Sequence, residues 1–463
     1  MQHPTTMPHL RPALLVLALC LAMLPACAGK KHPPVEECSR LDHTQDSRTV
    51  PQNLTGFAKK ARPNTPLLSP GSQAERDARY NKLFFSPWNQ SRGSVSTKDA
   101  YEEIDRLSSL RRRGANTGYA ENLRPWTDER WNAMLFNAAR GSYPSRAEKA
   151  LTVRPTPMRS APTHSPWFNH PTKPGQGFPF DIFQLTTLPA GTPILILHTS
   201  ADGAWVYAET SLVCGWVPTQ DTAIAGPDIR TRDQTGRYAA ILRDNVTLRD
   251  ASGHFLTLAG IGTILPVARS GAGGLSVLVP VRDTTGQAVL REVSLSPSEA
   301  AVKPLKLTPE RVAQLGNVIM GQPYGWGGYL ENRDCSLMLR DMFAPFGVWL
   351  ARNSSQQGRA WSTTSLKGLS APAKMSRILS DGRPFATLLW LPGHITLYVG
   401  EHNGEPAIFH DFWGVRTKGT GGVSGRFIIG CATVTSTQPG KELCDVTPDA
   451  LLINRISRMT TIN

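Results

Sequence analysis

The spacing of apolar residues changes along the chain and predicts regions of different secondary structure. Between residues 54 and 159, apolar positions recur three and four apart, which is typical of amphipathic helices, and we expect a helical, loop-rich domain there. From residue 160, apolar and polar positions alternate in short runs separated by turns. This pattern predicts two small β-barrels, over 160–232 and 233–303. The last region, 304–463, mixes helix and strand patterns and forms a separate domain.

The first residues have the pattern of an export signal. Arg11 precedes an apolar stretch over 13–24 that is too short to span a membrane comfortably. A positive start, a short apolar core and small residues after it are typical of a secretory signal peptide. We therefore assign 1–27 to an export segment and the polar stretch 28–53 to a flexible tether.

The end of the export segment predicts a lipid anchor. Leu24-Pro25-Ala26-Cys27 resembles a bacterial lipobox, in which the cysteine is lipidated and becomes the mature N-terminus. Pro25 departs from the small residue usual there, so an ordinary cleavage site near Cys27 is the alternative. The prediction is a lipoprotein in the cell envelope, on the periplasmic face of a membrane, and the alternative is a soluble periplasmic or secreted protein.

Length and charge narrow the classes of partner. With 463 residues the chain is too long for one hydrophobic core, and its 37 prolines and 40 glycines favour loop-rich β domains over a helical bundle. The net charge of +14 attracts polyanions such as nucleic acid, anionic lipid or envelope polymers. Because no dense Lys/Arg run is interleaved with aromatic residues, nucleic acid is the weakest of these.

The seven cysteines argue against a metal site. No Cys-x-x-Cys or clustered histidine pattern occurs, so neither zinc nor another metal is expected. An exported protein can hold disulfides, and Cys431 and Cys444 are close enough in sequence to pair, although spacing alone leaves that open.

A nucleophilic cysteine is predicted at the start of a helix. The glycine-rich loop 323–328 lacks the Lys-Ser/Thr of a phosphate-binding loop. The residues after it, Asp334-Cys335-Ser336, begin a helical pattern that continues to Phe343. A helix N-terminus favours a thiolate, so we expect a lowered pKa for Cys335, and its backbone N–H can face a developing oxyanion. The alternative is an inert buried cysteine.

Two histidines on facing strands are the candidate bases. His394 begins a predicted strand, and His410 lies on the strand that returns after a turn. A hairpin centred on His402 places His394 directly opposite His410, which would orient its ring. A two-residue Asn403-Gly404 turn instead places the two on opposite faces unless a bulge intervenes.

These motifs resemble the NlpC/P60 cysteine peptidase family. The resemblance lies in Pro323-Tyr324-x-Trp326-Gly327-Gly328, Asp334-Cys335-Ser336, Pro392-Gly393-His394-Ile395 and His410. The domain order also resembles multidomain members, which have an N-terminal stabilising domain and two bacterial SH3-like domains. The resemblance implies a papain-like α+β fold for 304–463. Leu337 departs from the glycine that the family commonly has there.

The resemblance also implies an activity and roles for individual residues. The activity is that of a γ-D-glutamyl-L-diamino acid endopeptidase on cell-wall peptides, in SH3-bearing relatives those with a free N-terminal L-Ala. It implies Cys335 as nucleophile, His394 as general base and His410 as the residue that orients it. Asp334 matches the carboxylate that holds the amine, a role that can coexist with capping the helix. The other implied substrate contacts are Tyr324, Ser336 and Ser354.

Two other functions remain open at this point. The same Cys–His scaffold can serve an amidase or acyltransferase, and a wall-binding lipoprotein without activity is the third hypothesis. The peptidase needs no cofactor. Its expected partners are peptidoglycan stem peptides and, through the anchor, a membrane, and we expect a monomer that binds no nucleic acid.

Overall fold

In the computed structural model, the structure describes residues 43–271 and 273–463. The export segment and the predicted lipidation residue Cys27 lie outside the described residues. Within the described ranges, no helix is long and apolar enough to cross a membrane.

The N-terminal helices do not share a core of their own. They are α1 (Gln45–Thr49), α2 (Thr55–Lys60), α3 (Pro70–Phe84), α4 (Thr97–Ala100), α5 (Glu102–Arg112) and α6 (Asp128–Asn137). Leu54 and Phe57 are buried in the core that also contains Met342 of the C-terminal domain. Tyr101 and Trp131 are buried instead with residues of the first β-sheet. The expected single helical domain over 54–159 is therefore divided, because short amphipathic helices bury their apolar faces on the nearest sheet.

Seven antiparallel strands form the first β domain. They are β1 (Glu148–Thr152), β2 (Thr156–Arg159), β3 (Gln184–Leu188), β4 (Pro193–Thr199), β5 (Trp205–Glu209), β6 (Cys214–Pro218) and β7 (Thr222–Ile224), in the order β3-β2-β6-β5-β4-β1-β7. The predicted boundary at residue 160 is wrong, since β1 and β2 precede it. β1 pairs with β4 and β7 and so belongs to this sheet. The sequence pattern missed β1 and β2 because strands of four or five residues are too short to show a clear alternation of apolar and polar positions.

The second β domain follows the helix α7 (Pro227–Asp233). Its strands are β8 (Tyr238–Ile241), β9 (Val246–Arg249), β10 (Phe255–Ala259), β11 (Ile264–Gly271), β12 (Gly274–Arg282), β13 (Ala288–Leu295) and β14 (Ala300–Val302). Five of them pair in the order β13-β12-β11-β8-β14, and β9 pairs with β10. The inward residues of these strands, such as Leu248 and Val279, form a separate core.

The C-terminal domain has the predicted α+β architecture. Its elements are α8 (Pro309–Ile319), α9 (Cys335–Phe343), α10 (Ser354–Gln357), β15 (Ser362–Ser365), α11 (Ala371–Asp381), β16 (Thr387–Leu391), β17 (His394–His402), β18 (Glu405–Lys418), β19 (Ser424–Ser436), α12 (Leu452–Arg455) and β20 (Arg458–Thr461). The six strands pair in the order β15-β20-β16-β17-β18-β19. Met338, Met342 and Phe343 of α9 are fully buried in the core that includes Leu397 and Phe409 of this sheet.

Local signals set the ends of the two helices that matter most for the site. Thr308 caps α8 by accepting a hydrogen bond from the Arg311 N–H, and Pro309 occupies the first helical position, as predicted. Asp334 caps α9 in the same way, so Cys335 is the first residue of that helix.

The pairing of Cys431 with Cys444 is not formed. Cys431 is a free, half-buried thiol in β19, opposite Phe412 of β18. The sheet holds it there, while Cys444 lies in the loop that follows the strand.

Candidate active site

Cys335 is enclosed at the first turn of α9, where its side chain meets the start of β17. Only 6% of the residue is exposed, and the backbone N–H of Ile395, the residue after His394, faces the thiol and acts to lower its pKa. As the first residue of the helix, Cys335 has a backbone N–H without an intrahelical acceptor. That group is available to a developing oxyanion.

The pKa of the Cys335 thiol is raised, although its position on the helix predicts a lowered value. Burial is the main cause, and the nearby Asp334 carboxylate adds to it. The Ile395 N–H and Arg352 act in the opposite direction without outweighing burial. The resting nucleophile is therefore a thiol, which needs a base to remove its proton.

A β-bulge brings the two predicted histidines to the same face of the sheet. The turn is the two-residue Asn403-Gly404, both at positive φ, with His402 paired to Glu405. Between Tyr398 and Gly400 the register shifts by one residue. The predicted hairpin centred on His402 is therefore wrong. The alternative, a two-residue Asn403-Gly404 turn with a bulge, is the one that forms.

The two imidazoles are hydrogen-bonded to each other. His394 Nε2 and His410 Nδ1 are 2.8 Å apart, and His410 Nε2 is 3.0 Å from the Thr435 hydroxyl. Phe412 lies beside both rings, with centroid distances of 5.1 Å to His394 and 4.8 Å to His410. Burial lowers the pKa of His394 to about 3, with Arg455 adding to the effect, and burial and His394 lower the pKa of His410 well below its usual value. Both rings are therefore neutral at rest.

Thr435 fixes the tautomers of both rings. Its hydroxyl donates to the Ser436 carbonyl at 2.7 Å, so its oxygen must accept the proton of His410 Nε2. His410 Nδ1 then has a lone pair and accepts from His394 Nε2–H. His394 Nδ1 is left unprotonated, which makes it the base available on this ring.

Asp334 is fully engaged by protein donors. Its Oδ1 accepts from the backbone N–H groups of Ser336 and Leu337 at 3.0 and 2.9 Å, and its Oδ2 accepts from Gly327 N–H at 3.0 Å. Arg352 adds a bidentate ion pair, with Nη2 2.7 Å from Oδ2 and Nη1 3.2 Å from Oδ1. Although burial alone would raise it, Arg352 and these hydrogen bonds hold the pKa of Asp334 below its ordinary value. The carboxylate thus caps the helix and has no evident lone pair for a substrate ammonium.

The other predicted contacts occupy different places. Ser336 donates to Asp334 at 2.9 Å and accepts from Arg352 at 3.0 Å, so its hydroxyl belongs to the same network. Tyr324 is buried, and burial together with Cys335 and Asp334 raises the pKa of its phenol, which places it beside the nucleophile. Ser354 is half-buried at the first position of α10.

The first β domain contributes residues that the sequence did not indicate. Phe180 contacts the rings of Tyr324, Trp326 and Trp413 at centroid distances of 6.1, 5.6 and 5.5 Å. Thr186 accepts from Arg352 Nε at 2.9 Å. Arg352 is two residues before Ser354, one of the implied substrate contacts, so its place in the sequence was a local signal. Phe180, Thr186 and Thr435 had none, because their contacts depend on chain pairing.

A metal would have few ligands in the described part of the chain. It contains no group of three or more His, Cys, Asp or Glu side chains arranged to hold an ion. The chemistry that this arrangement supports is acyl transfer: a thiol, a neutral imidazole with a free lone pair, and a backbone N–H at a helix start.

Family models match successive parts of the chain. They are an NLPC_P60 N-terminal stabilising domain over residues 16–143, an SH3 domain of the SH3b1 type over 166–218, an SH3 domain of the SH3b2 type over 228–272 and the NlpC/P60 family over 321–411. The two β domains are thus SH3 domains, as the family resemblance implied. No curated protein matches the chain.

Solved structures resemble this chain to different extents. An NlpC/P60 endopeptidase from Photobacterium damselae subsp. piscicida is 25% identical, with a TM-score of 0.78 over 89% of this chain and 97% of that one. An NlpC/P60 family protein from Bacillus cereus is 13% identical, with a TM-score of 0.44 over 67% of this chain and 98% of that one. The chain thus combines a stabilising domain and two SH3 domains with an NlpC/P60 cysteine peptidase domain, matched over residues 321–411, that contains Cys335 and His394.

Proposed function

We propose that this NlpC/P60 endopeptidase hydrolyses the bond between γ-D-Glu and the diamino acid of peptidoglycan stem peptides. Cys335 is the nucleophile, His394 the general base and His410 the residue that orients it. The observation that carries the proposal is the buried thiol of Cys335 at the first turn of α9, facing Ile395 N–H, next to the hydrogen-bonded series His394, His410 and Thr435.

The reaction follows from the tautomers. His394 Nδ1 takes the thiol proton as the Cys335 sulfur attacks the amide carbon, and the carbonyl oxygen becomes an oxyanion facing the Cys335 N–H. The imidazolium then gives its proton to the departing amine, the C–N bond breaks and a thioester remains. Water, deprotonated by His394, attacks the thioester and releases the acid and the free thiol.

Substrates with a free N-terminal L-Ala are part of the proposal, but their ammonium is not assigned to Asp334. Both oxygens of that carboxylate are already bonded to Arg352 and to backbone N–H groups. Comparing L-Ala-γ-D-Glu-diaminopimelate with its N-acetylated form tests the preference. We expect kcat/KM to fall about tenfold on acetylation, the effect of one lost charge-assisted hydrogen bond.

Export is also part of the proposal. The pattern over 1–27 supports a secreted precursor, and Cys27 supports a lipoprotein on the periplasmic side of a membrane. Mass spectrometry of the mature protein tests this, because lipidation adds acyl chains to Cys27 and ordinary cleavage adds none.

The bond specificity is tested by digestion of defined muropeptides followed by mass spectrometry. The proposal predicts L-Ala-γ-D-Glu and a diamino acid fragment with the wild type and no products with Cys335→Ala. An amidase would instead release the intact stem peptide from the sugar, and an acyltransferase would yield joined peptides. Binding without cleavage by the wild type would support the wall-binding alternative.

A further inference from the structure

Three arginines from separate elements converge next to the catalytic histidine. Arg416 on β18 and Arg426 on β19 are paired directly opposite each other in the strand register. Arg455 at the end of α12 donates from Nη2 to the Pro392 carbonyl at 3.1 Å, two residues before His394. The cluster, Arg416–Arg426–Arg455, therefore lies on the side of the site where His394 begins its strand.

The three guanidinium groups repel one another. The pKa of Arg426 is lowered by burial and then by Arg416 and Arg455, and that of Arg455 by burial and then by Arg416. Like charges directly opposite on adjacent strands are destabilising. In the part of the chain that the structure describes, none of the three has a carboxylate at ion-pair distance. Asp449 is exposed and offsets some of the charge on Arg455 and Arg416, but it forms an ion pair with neither.

The cluster is bounded by the first β domain as well as by the catalytic sheet. A Cβ atom on Gly175 would lie 3.7 Å from Arg426 Nη2, so the loop that carries Gly175 runs against this guanidinium. Arg426 is consequently half-buried, whereas a solvated surface arginine would extend into water. Arg426 and Arg455 are half-buried and Arg416 is exposed, and among the described residues none of the three is in an ion pair. The cluster is therefore open to an anion that is supplied from outside.

We propose that Arg416, Arg426 and Arg455 form a subsite for the carboxylates of the leaving fragment, the diamino acid and the residues after it. This rests on the proposed function. His394 delivers a proton to the departing amine, so groups beside Pro392 and His394 face the leaving side of the scissile bond. Guanidinium groups match carboxylates in bidentate geometry, and the stem peptide carries carboxylates on the diamino acid and at its C-terminus.

The test compares Arg416→Gln/Arg426→Gln with the wild type on two peptides. One is L-Ala-γ-D-Glu-diaminopimelate, and the other is the same peptide with the diaminopimelate carboxyls amidated. Arg249→Gln/Arg291→Gln, at two exposed arginines of the second β domain, controls for the loss of two positive charges. We expect KM for the carboxylate peptide to rise about ten- to hundredfold in the double variant, with kcat within about twofold, and KM for the amidated peptide to stay unchanged. Equal changes on both peptides, or none on either, would overturn the proposal.

Binding in the Cys335→Ala background separates this proposal from the proposed function. Isothermal titration with the uncleaved carboxylate peptide should give a dissociation constant that rises by the same factor when Arg416 and Arg426 are replaced, whichever bond the enzyme cuts. The melting temperature of the unliganded double variant should equal or exceed that of the parent, because repulsion is removed. A lower melting temperature with unchanged affinity would show that the arginines are structural and would contradict the proposal.

Discussion

Each β domain reaches the turn that carries the nucleophile through one buried arginine, but with different chemistry. From the second β domain, Asp244 accepts two hydrogen bonds from Arg333 at 2.8 Å each. From the first, Thr186 accepts a single hydrogen bond from Arg352 at 2.9 Å. Arg333 immediately precedes Asp334 and Cys335, and Arg352 pairs with Asp334 itself.

The difference indicates that the second β domain mainly stabilises the site, whereas the first also forms part of its surface. The second β domain supplies a buried charge pair, and Asp244, with Asp341, raises the pKa of Arg333 despite burial. The first supplies hydrogen bonds without an ion pair, because Gln184 and Thr187 donate to the carbonyls of Gly327 and Gly328 at 3.2 and 2.7 Å. It also places Phe180 among the aromatic rings around Tyr324. We therefore expect substitutions at the contacts of the second β domain to lower stability. Substitutions at the contacts of the first should mainly weaken substrate binding.

The largest effect is expected from Asp244→Ala. It removes the bidentate partner of the buried Arg333 and leaves Asp341 as its remaining carboxylate, so the free energy of unfolding should fall by about 3 kcal/mol. Urea denaturation measures it, with Asp228→Ala, an exposed acid on α7, as the control. A loss of stability no larger than that of the control would show that the Asp244–Arg333 ion pair does not stabilise the site.

The pH dependence of folding stability reports on the pair His394 and His410. None of the hydrogen bonds described above joins this pair to either β domain. His394 and His410 have folded-state pKa values below the ordinary 6.5, so the unfolded chain binds more protons below pH 6.5 and stability falls with acid. For His394, the difference amounts to about 2 kcal/mol at pH 5 relative to pH 7. The pKa of Asp244 is lowered from 3.8, so the Asp244–Arg333 ion pair does not titrate between pH 5 and pH 7.

The measurement is the urea-unfolding free energy at pH 7 and pH 5 for the wild type and for His394→Gln. The variant should lose less stability between the two values, because the proton-binding imidazole is absent. Identical pH dependence in both proteins would contradict the neutral, buried state of His394.

Thr186→Val should cost less than Asp244→Ala. The substitution keeps the shape of the side chain and removes one acceptor, while Arg352 keeps Asp334 and Ser336 as partners. We expect a loss of about 1.5 kcal/mol in urea denaturation. A loss equal to that of Asp244→Ala would remove the distinction between the two β domains.

Phe180→Ala should change substrate binding more than the chemical step. It removes contacts with Tyr324, Trp326 and Trp413, each worth about 0.5–1.5 kcal/mol at most. KM for the stem peptide should rise several-fold with little change in kcat. Phe178→Ala, a change at an exposed phenylalanine two residues earlier, is the matched control, and an equal rise in KM there would contradict the assignment.

The local parts of the site were predictable from the sequence, whereas the parts that depend on long-range packing were not. The Asp334 cap and the position of Cys335 follow from residues next to each other, and the structure confirms them. The relation of His394 to His410 depended on one bulge, which alternation alone cannot locate. The ion pair of Arg352 with Asp334 joins residues 18 apart.

The sequence predicted a lowered pKa for Cys335, and this prediction was wrong for a similar reason. The helix start argues for a thiolate, but burial under the surrounding elements outweighs it, and burial is a property of the assembled fold. The fold was predicted at the level of domain order. The division of the N-terminal helices between two cores was not, because amphipathic patterns show that a face is buried without showing what covers it.

The most direct test of the account is the rate at which iodoacetamide alkylates Cys335 at pH 7 in the wild type and in His394→Ala. Peptide mass spectrometry follows the reaction, with the free thiols of Cys214 and Cys431 as internal references in the same molecule. If His394 removes the thiol proton, Cys335 should react at least about tenfold faster in the wild type while the reference thiols are unchanged. Equal rates for Cys335 in both proteins would contradict the pairing of this thiol with this imidazole.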